Sequence, residues 1–213
     1  MTKTNTKQRI ANTTLELFNN QGVPNVSTNH IALELDISPG NLYYHFKSKD
    51  ALIELLFSAY EQELTTLFEN PFEPTSTIED AWFFLHLGFE IATRYRFVYQ
   101  DTEYILGKCR TLSPRFRRIL HRYFDALLGL LITLSDQHVL QNCAESVLEE
   151  LALNMLLVAS QWISFKQHLS GEVAISPSES DLSQGIYQVL SLLSPYLDVK
   201  NQDHLRTLQQ AYA

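Results

Sequence analysis

The sequence predicts an all-α protein in which an N-terminal three-helix domain is followed by a larger helical domain. Apolar residues recur three and four positions apart along nearly the whole chain, and no alternating, strand-like run occurs. Small hydroxyl residues stand where several of these periodic segments begin, as helix caps do. The chain has 213 residues, of which 45% are hydrophobic and 19% are charged, so it is long enough to bury a core.

Four helices are predicted in the N-terminal third of the chain. Their expected ranges are 3–21, 28–35, 39–46 and 49–69. The first helix is expected to end at Gly22, and Ser27 is positioned to cap the second. Ser38 is expected to cap the third helix, whose first position holds Pro39, because proline loses no helical hydrogen bond there. Ser48 is expected to cap the fourth helix.

The rest of the sequence predicts further helices separated by breaks. A stretch rich in Asn, Pro and Thr covers 70–77, and its last residues form a candidate capping box, Ser-Thr-Ile-Glu at 76–79. Ser113 and Pro114 repeat the cap-and-proline pattern before a helix that is expected to run to residue 135. The later helices are expected at 141–169, 179–194 and 200–212, with a Gly/Ser/Pro loop at 170–178.

The charges divide the chain into two parts, which we expect to be domains of residues 1–55 and 56–213. Residues 1–55 hold five basic and five acidic side chains, so the whole net charge of −8 belongs to residues 56–213. A neutral N-terminal domain lacks long-range attraction for phosphate. If it binds DNA, it has to rely on local contacts and on two copies that act together.

Several classes of protein are disfavoured by what the sequence lacks. No apolar run approaches the roughly 18–20 residues that cross a bilayer, and the polar N-terminus lacks the apolar core of a secretory signal. We therefore expect a cytoplasmic protein with no membrane partner. Cys109, Cys143 and the histidines show no metal-ligand spacing, and no nucleophile elbow or Gly-rich phosphate loop occurs. No metal, no cofactor and no enzymatic activity are expected.

Two short helices joined by the turn Asp36-Ile37-Ser38 suggest a helix-turn-helix. The second of these helices has the sequence PGNLYYHF, in which Leu42 and Phe46 are four residues apart and should face the core. The other residues of this helix then face mostly outward. These are Gly40, Asn41, Tyr43, Tyr44 and His45. Such a cluster of exposed aromatic side chains is costly unless something binds there. The major groove of DNA admits one α-helix, whose side chains meet base edges, thymine methyl groups and phosphates.

The segment NVSTNHIALELDISPGNLYYHFKSKDALIELLF resembles the DNA-binding domain of the tetracycline-repressor (TetR) family. It is particularly similar to the multidrug-binding repressors that share the string GNLYYHF. The resemblance covers about residues 7–57. It implies a bacterial transcriptional regulator that acts as a dimer, and it implies a role in DNA binding for particular residues, which are Thr28, Asn29, Ser38, Pro39, Gly40, Asn41, Tyr43, Tyr44, His45 and Lys49.

Within that set, the resemblance assigns phosphate contact to Thr28 and to Lys49, which stands at the start of the fourth helix. Tyr43, Tyr44 and His45 match the groove and phosphate contacts of the reading helix. Pro39 departs from the family pattern, because relatives often have Lys or Arg there. Base discrimination is therefore expected to depend more on van der Waals contact and on DNA shape.

The resemblance also implies how two chains associate. Two long helices near the end of family members form a dimeric four-helix bundle, and residues 141–169 and 179–194 are the matching segments. An apolar stripe of Leu182, Ile186, Val189, Leu190 and Leu193 suits this seam, although about half of it is expected to belong to the ordinary core of the chain. Two copies related by a two-fold axis would bind a pseudo-palindromic operator on double-stranded DNA.

The segment between these regions has an unusually high density of aromatic residues, on what should be two consecutive helices. The resemblance implies a pocket here for a small apolar or amphipathic inducer. The candidate lining residues are Trp82, Phe83, His86, Phe89, Tyr99, Glu103, Tyr123 and Trp162. Burial of Glu90, Asp101 or Glu103 would favour a cationic ligand, whereas the arginines at 110–122 would favour a carboxylate or acyl ligand. The sequence leaves both open.

The function predicted is that of a dimeric, ligand-responsive regulator, a repressor that its inducer releases from DNA. The alternative is a DNA-bound regulator without a small ligand, whose acidic C-terminal domain recruits a protein partner. The ligand, the operator, the target genes and the sign of regulation are not encoded in any recognisable pattern of the sequence.

Overall fold

The computed structural model describes residues 6–69, 73, 75–141, 143–170 and 178–211, and these fold into α-helices. The helices are α1 (Thr6–Gln21), α2 (Thr28–Glu34), α3 (Pro39–His45), α4 (Lys49–Phe68), α5 (Ile78–Arg94), α6 (Phe97–Gln100), α7 (Thr102–Lys108), α8 (Leu112–Asp136), α9 (Glu145–Ser170), α10 (Glu179–Ser191) and α11 (Val199–Ala211). Two 3₁₀ turns lie at Val23–Asn25 and Ser194–Tyr196. The predicted all-α fold is confirmed for the described residues. The β-structure among them is limited to one isolated bridge, between Leu140 and Leu197.

The three serine caps that the sequence predicts for the N-terminal helices are confirmed. The hydroxyls of Ser27, Ser38 and Ser48 each accept a hydrogen bond, at 3.1 Å, from the backbone N–H three residues further on. Such a cap satisfies one of the N–H groups that the first turn of a helix leaves unpaired. The short helices α2 and α3 depend on these caps, because seven residues form few internal hydrogen bonds.

Two helix starts differ from the prediction. The capping box of α5 is formed by Thr77 and Asp80, whose carboxylate accepts from the Thr77 N–H at 2.7 Å, so the motif begins one residue later than predicted. Helix α8 begins at Leu112, before Ser113 and Pro114. Proline is tolerated within the first turn because its missing N–H has no helical partner there, so the cap-and-proline pattern marked the first turn and not the cap.

Other boundaries were also wrong. The aromatic segment predicted as two helices forms three, α5, α6 and α7, with breaks at 95–96 and at Asp101. Helix α9 begins at Glu145 and not near 141, because Gln141 donates its backbone N–H to the Tyr196 carbonyl at 2.8 Å. Helix α10 ends at Ser191, three residues early. The predicted start of α1 at residue 3 and most of the 170–178 loop lie outside the described residues.

A first hydrophobic core joins the N-terminal helices to the following ones. Ile10, Phe18, Ile31, Leu42 and Phe57 are buried in it together with residues of α5 to α8. Phe97 of α6 packs against Phe18 of α1 with ring centroids 5.7 Å apart. Helix α4 runs through the predicted boundary between residues 55 and 56. The proposed division into two domains therefore stays a prediction, and the N-terminal helices share their core with α6 and α7.

A second core lies between α5, α8, α9 and α10. It buries the α10 residues that were assigned to a dimer seam, which are Leu182, Ile186, Val189, Leu190 and Leu193. The assignment of this stripe was wrong, whereas a dimer contact through other residues of 179–194 stays a prediction. The side chains of the stripe fill the core of their own chain, and the exposed positions of α10 between them, Gln184 and Gln188, are polar.

Candidate nucleic-acid interface

The turn between α2 and α3 is fixed by backbone hydrogen bonds. The Asp36 N–H donates to the Leu33 carbonyl at 3.1 Å, and the Ile37 N–H donates to the Ala32 carbonyl at 3.0 Å. Asp36 has a φ of 53°, in the left-handed region that Asp tolerates better than most side chains. This arrangement is a Schellman motif, and it sets the direction in which the chain leaves α2 and enters α3.

Helix α3 is anchored on one side and open on the other. Leu42 is 2% exposed and Phe46, directly after the helix, is also buried, so the inward face is fixed in the first core. On the outward face Tyr43 is 58% exposed and Tyr44 is 77% exposed. The neighbouring residues Ser38, Pro39, Gly40 and Asn41 are exposed as well, and His45 is half-buried. The helix therefore presents a rigid aromatic surface to solvent.

Neighbouring side chains hold this surface in place. The ring of Tyr44 meets the imidazole of His45 edge-on, with centroids 5.2 Å apart. The ammonium group of Lys47 lies 4.7 Å from the centroid of the Tyr43 ring, which places a positive charge beside the outward face. An aromatic ring flanked by a cation suits contact with bases and phosphates.

The starts of α2, α3 and α4 border one groove, with a volume of about 700 Å³. Among its lining residues are Thr28, Asn29, Pro39, Gly40 and Tyr43. Lys47 and Lys49 are also among its lining residues. The structure thus brings most of the residues predicted to bind DNA together on one surface of the N-terminal helices.

Lys49 makes a different contact from the one that the sequence predicts. Its ammonium group donates to the backbone carbonyl of Val23, and it lies 5.3 Å from the centroid of the Tyr104 ring of α7. The side chain is half-buried between the N-terminal helices and the following domain. Its role in phosphate contact stays a prediction, and its observed place is at the junction between α4 and α7.

A small apolar cavity of about 30 Å³ lies between α5, α8 and α9, with Tyr99 of α6 also in its lining. Phe89, Tyr99 and Tyr123 line it, together with aliphatic residues and Gly88. A wider cleft of about 1010 Å³ opens beside it, between the end of α1, the α6–α7 segment and α9. Tyr99, Leu120 and Ser160 line both spaces, so the apolar cavity borders the cleft.

Three phenols lie close together at the border of the cavity and the first core. The hydroxyls of Tyr60 and Tyr99 are 2.7 Å apart and hydrogen-bonded. Burial raises the pKa of Tyr99 to about 12, and burial raises the pKa values of Tyr60 and Tyr123 well above the ordinary value. All three phenols therefore stay protonated at neutral pH and act as hydrogen-bonding groups without charge.

The eight residues predicted to line a ligand site are only partly brought together. Phe89, Tyr99 and Tyr123 line the apolar cavity, and Glu103 lines the cleft. The other four lie outside these two spaces. Trp82 is buried in the second core, Phe83 is 62% exposed, His86 lies 3.4 Å from Glu90, and Trp162 donates to the Asp181 carbonyl at 2.8 Å.

Polar residues of the cleft were missed by the sequence reasoning. The side-chain amides of Asn19, Asn20, Gln100 and Gln167 line it, as do the hydroxyls of Ser160 and Ser164. Side chains of this kind carry no distinctive spacing in the sequence. Asp101 and Glu103 had been singled out as residues whose burial would favour a cationic ligand; Asp101 is half-buried in the cleft wall and Glu103 is exposed.

The arginines at 110–122 do not line either space. Arg115 binds the carboxylate of Glu61, and Arg122 lies 4.9 Å from the centroid of the Phe68 ring. Arg110, Arg117 and Arg118 are exposed on α8 or just before it. Their arrangement gives no support to a carboxylate or acyl ligand in these cavities.

The described residues offer neither a metal site nor a membrane-spanning helix. No group of three or more His, Cys, Asp and Glu side chains has the geometry to hold a metal ion. None of the described helices combines the length and the apolar character that spanning a membrane requires.

Comparison with known proteins gives matches along the chain. Residues 10–56 match the family described as "Bacterial regulatory proteins, tetR family", and residues 59–205 match that described as "Bacterial transcriptional repressor". A crystal structure of a TetR-family transcriptional regulator from Marinobacter aquaeolei VT8 is 35% identical to this chain. It superposes with a TM-score of 0.85 over 97% of this chain and 98% of its own.

Matches to named regulators concentrate in the N-terminal part. The HTH-type transcriptional regulator UidR of Escherichia coli K12 is 37% identical over 68 residues, which are 32% of this chain and 35% of that regulator. The probable regulator YttP of Bacillus subtilis is 27% identical over 121 residues, 57% of this chain and 58% of that protein. The chain thus spans about a third to a little over half of the length of these relatives. Since the family matches extend over both its N-terminal helices and most of the rest, the chain belongs to the TetR family of bacterial transcriptional regulators.

Proposed function

We propose that this chain is a cytoplasmic, homodimeric repressor that reads a pseudo-palindromic operator with helix α3 and leaves it when a small amphipathic inducer binds. The observation that carries the proposal is the exposure of Tyr43 and Tyr44 on a helix whose opposite face is fixed in the core. Exposed aromatic side chains on a rigid, capped helix are expensive in water, and the dimensions of an α-helix suit the major groove.

The proposal of a dimer is supported by an apolar stripe on α9. Leu153, Leu157, Phe165 and Leu169 are 52–67% exposed, and because a four-residue step turns an α-helix by about 40°, they form a row that winds around less than half of its circumference. The stripe extends over about 24 Å of helix. Exposed apolar side chains repeated along a helix, here interrupted by the exposed Gln161, are typical of a protein interface, and a second copy related by a two-fold axis would bury them.

Dimerisation is also what the reading of DNA requires. One short helix contacts too few base pairs for a specific site, and two copies contact half-sites one helical turn, about 34–36 Å, or a multiple of it apart. The N-terminal domain has no net charge. Two copies acting together compensate for the weak long-range attraction to phosphate.

The dimer is tested by placing a charge on the α9 stripe. Replacement of Leu157 by Glu is expected to convert the dimer into a monomer, because a buried, unpaired carboxylate costs several kcal/mol at an interface. Light scattering coupled to size-exclusion chromatography measures the mass. Phe83→Glu is the matched control, since Phe83 is 62% exposed against 60% for Leu157 and lies on α5. A dimeric Leu157→Glu variant, together with a dimeric Phe165→Glu variant, would contradict the proposed interface.

The inducer is proposed to occupy the apolar cavity and the cleft beside it. An apolar chamber bordered by phenols, amides and hydroxyls suits a molecule with an apolar body and a polar end. The cavity has room for little more than a water molecule, so binding requires that α5, α8 and α9 separate. A ligand that binds the separated arrangement more tightly shifts the population of the dimer toward it.

DNA binding is tested by selection from random DNA. Full-length protein is incubated with a pool of randomised duplexes, and bound duplexes are sequenced after several rounds at moderate salt. The expected outcome is a pseudo-palindrome that also occurs near the gene of the protein itself. Failure of a folded, dimeric protein to enrich any sequence would overturn the proposal.

A further inference from the structure

The carboxylate of Asp101 connects the cleft to the helix-turn-helix. Asp101 lies between α6 and α7 and lines the cleft. Its Oδ2 accepts a hydrogen bond from the backbone N–H of Val23 at 2.7 Å. Val23 is fully buried and begins the 3₁₀ turn that leads from α1 into α2. One side chain therefore contacts both the candidate ligand site and the segment that positions the reading helices.

Lys49 acts on the same turn from the other side. Its ammonium group donates to the carbonyl of Val23, while the N–H of Val23 donates to Asp101. The ammonium group also attracts the Asp101 carboxylate electrostatically. Both backbone polar groups of one buried residue, Val23, are thus held by oppositely charged side chains, one at the start of α4 and one at the start of α7.

A second connection at this junction is made by an uncharged side chain. The side chain of Asn19 donates to the Arg94 carbonyl at 2.8 Å and accepts from the Phe97 N–H at 3.1 Å, which binds α1 to the turn between α5 and α6. Both polar ends of this amide are used within the protein, and a ligand gains little by competing for them. The Asp101 carboxylate is different, because a cation competes strongly for it.

The charge of Asp101 is incompletely compensated. Burial raises the pKa of its carboxyl, although the hydrogen bond from Val23 and the attraction of Lys49 both lower it. The net direction of the pKa shift is upward, so the hydrogen bond and Lys49 do not fully offset the cost of burying part of this carboxylate. A positively charged group in the cleft would offset the remainder.

The cleft offers other groups that suit a cation. Glu103 adds a second carboxylate to the lining, and neither Lys nor Arg occurs among the described residues that form it. Tyr99, Tyr104 and Phe116 also line this space, and aromatic rings attract cations. The buried hydroxyl of Ser164, another lining residue, has no hydrogen-bond partner among the described residues. An anionic ligand would meet two carboxylates and no lysine or arginine.

We infer that the cleft takes an organic cation with an apolar body, and that its positive group draws the Asp101 carboxylate away from the Val23 N–H. The apolar body enters the cavity beside Tyr99, and the cation stays at the mouth. Loss of the hydrogen bond loosens the turn before α2, so the two reading helices of a dimer no longer keep their spacing. This inference rests on the proposed function for its effect on DNA, and its binding step stands independently of DNA.

The binding step is tested with three probes of the same shape and different charge, 3-phenylpropylammonium, 3-phenylpropanol and 3-phenylpropanoate. Calorimetry with the full-length protein is expected to show that the ammonium compound binds roughly tenfold more tightly than the alcohol. No heat of binding is expected from the carboxylate. Equal affinity for the ammonium compound and the alcohol, tighter binding of the carboxylate, or no binding of the ammonium compound would overturn the inference.

Asp101→Asn separates the charge from the hydrogen bond, because the amide oxygen of Asn still accepts from Val23 while the negative charge is gone. This variant is expected to lose roughly tenfold in affinity for the ammonium compound and to keep its affinity for the alcohol. Glu103→Gln, at an exposed carboxylate of the same cleft, is the matched control and is expected to lose less. An equal loss in both variants would contradict the role of Asp101.

The connection to the turn is tested by hydrogen exchange of the Val23 amide, read by nuclear magnetic resonance on the wild-type protein. The ammonium compound is expected to speed this exchange by about tenfold and to leave the Phe97 amide, which Asn19 holds, unchanged. Asp101→Ala should show the faster exchange without ligand. Unchanged exchange of Val23 in saturated wild-type protein would overturn the inference. Because neither measurement uses DNA, a protein that enriches no operator would refute the proposed function and leave these results standing.

Discussion

Replacing Tyr43 and Tyr44 together by alanine is expected to abolish specific DNA binding in a protein that still folds and dimerises. Both side chains are mostly exposed, at 58% and 77%, so their removal costs the fold little. In a complex each would contribute a contact in each of two half-sites. With about 1–3 kcal/mol for each contact that reads a base, the combined loss exceeds about 100-fold in affinity. Fluorescence anisotropy with the selected operator measures it.

Three further variants make this measurement specific. Tyr43→Phe and Tyr44→Phe keep the rings and remove the hydroxyls, so they separate stacking and methyl contacts from hydrogen bonds to phosphate. Phe83→Ala removes an aromatic side chain of similar exposure from α5, and it is expected to bind the operator as the wild-type protein does. If the double alanine variant kept wild-type affinity and salt dependence, α3 would not be the reading helix.

The N-terminal helices were predictable because their determinants are local. Each of the three serine caps acts on a backbone N–H three residues away, and the pair of Leu42 and Phe46 fixes the inward face of α3 through helical spacing alone. The exposure of Tyr43 and Tyr44 follows from the same spacing. These features can be derived from a window of about ten residues.

The features that the sequence did not reveal depend on distant partners. Helix α9 starts late because Gln141 pairs with Tyr196, which is 55 residues further along the chain. The apolar stripe of α10 faces its own core because α5 and α9 cover it. Lys49 turns toward Val23 and Tyr104, and the cleft forms where three separate segments meet. No local pattern encodes which of two surfaces an amphipathic helix will cover.

The largest expected effect on stability comes from Gly185→Ala. Gly185 lies in α10 where α5 and α9 come closest to it, and a Cβ atom there would stand 2.5 Å from Cδ1 of Trp162 and 2.7 Å from Cε1 of Phe89. Trp162 is restrained by its hydrogen bond to the Asp181 carbonyl, so its ring has little freedom to move away. Overpacking of this kind typically costs about 1–3 kcal/mol, which exceeds the gain of up to about 1 kcal/mol that alanine brings within a helix.

Gly129→Ala supplies the control, because Gly129 lies within α8 and a Cβ atom there would have no neighbour within 4 Å. That variant should gain up to about 1 kcal/mol in free energy of unfolding, since only helix propensity changes. Urea denaturation of both variants measures the two free energies, and opposite signs are expected. Equal stabilisation by both substitutions would mean that Trp162 and Phe89 move apart easily. In that case the wall between the apolar cavity and α10 would be soft, and the separation of helices that an inducer requires would cost correspondingly less.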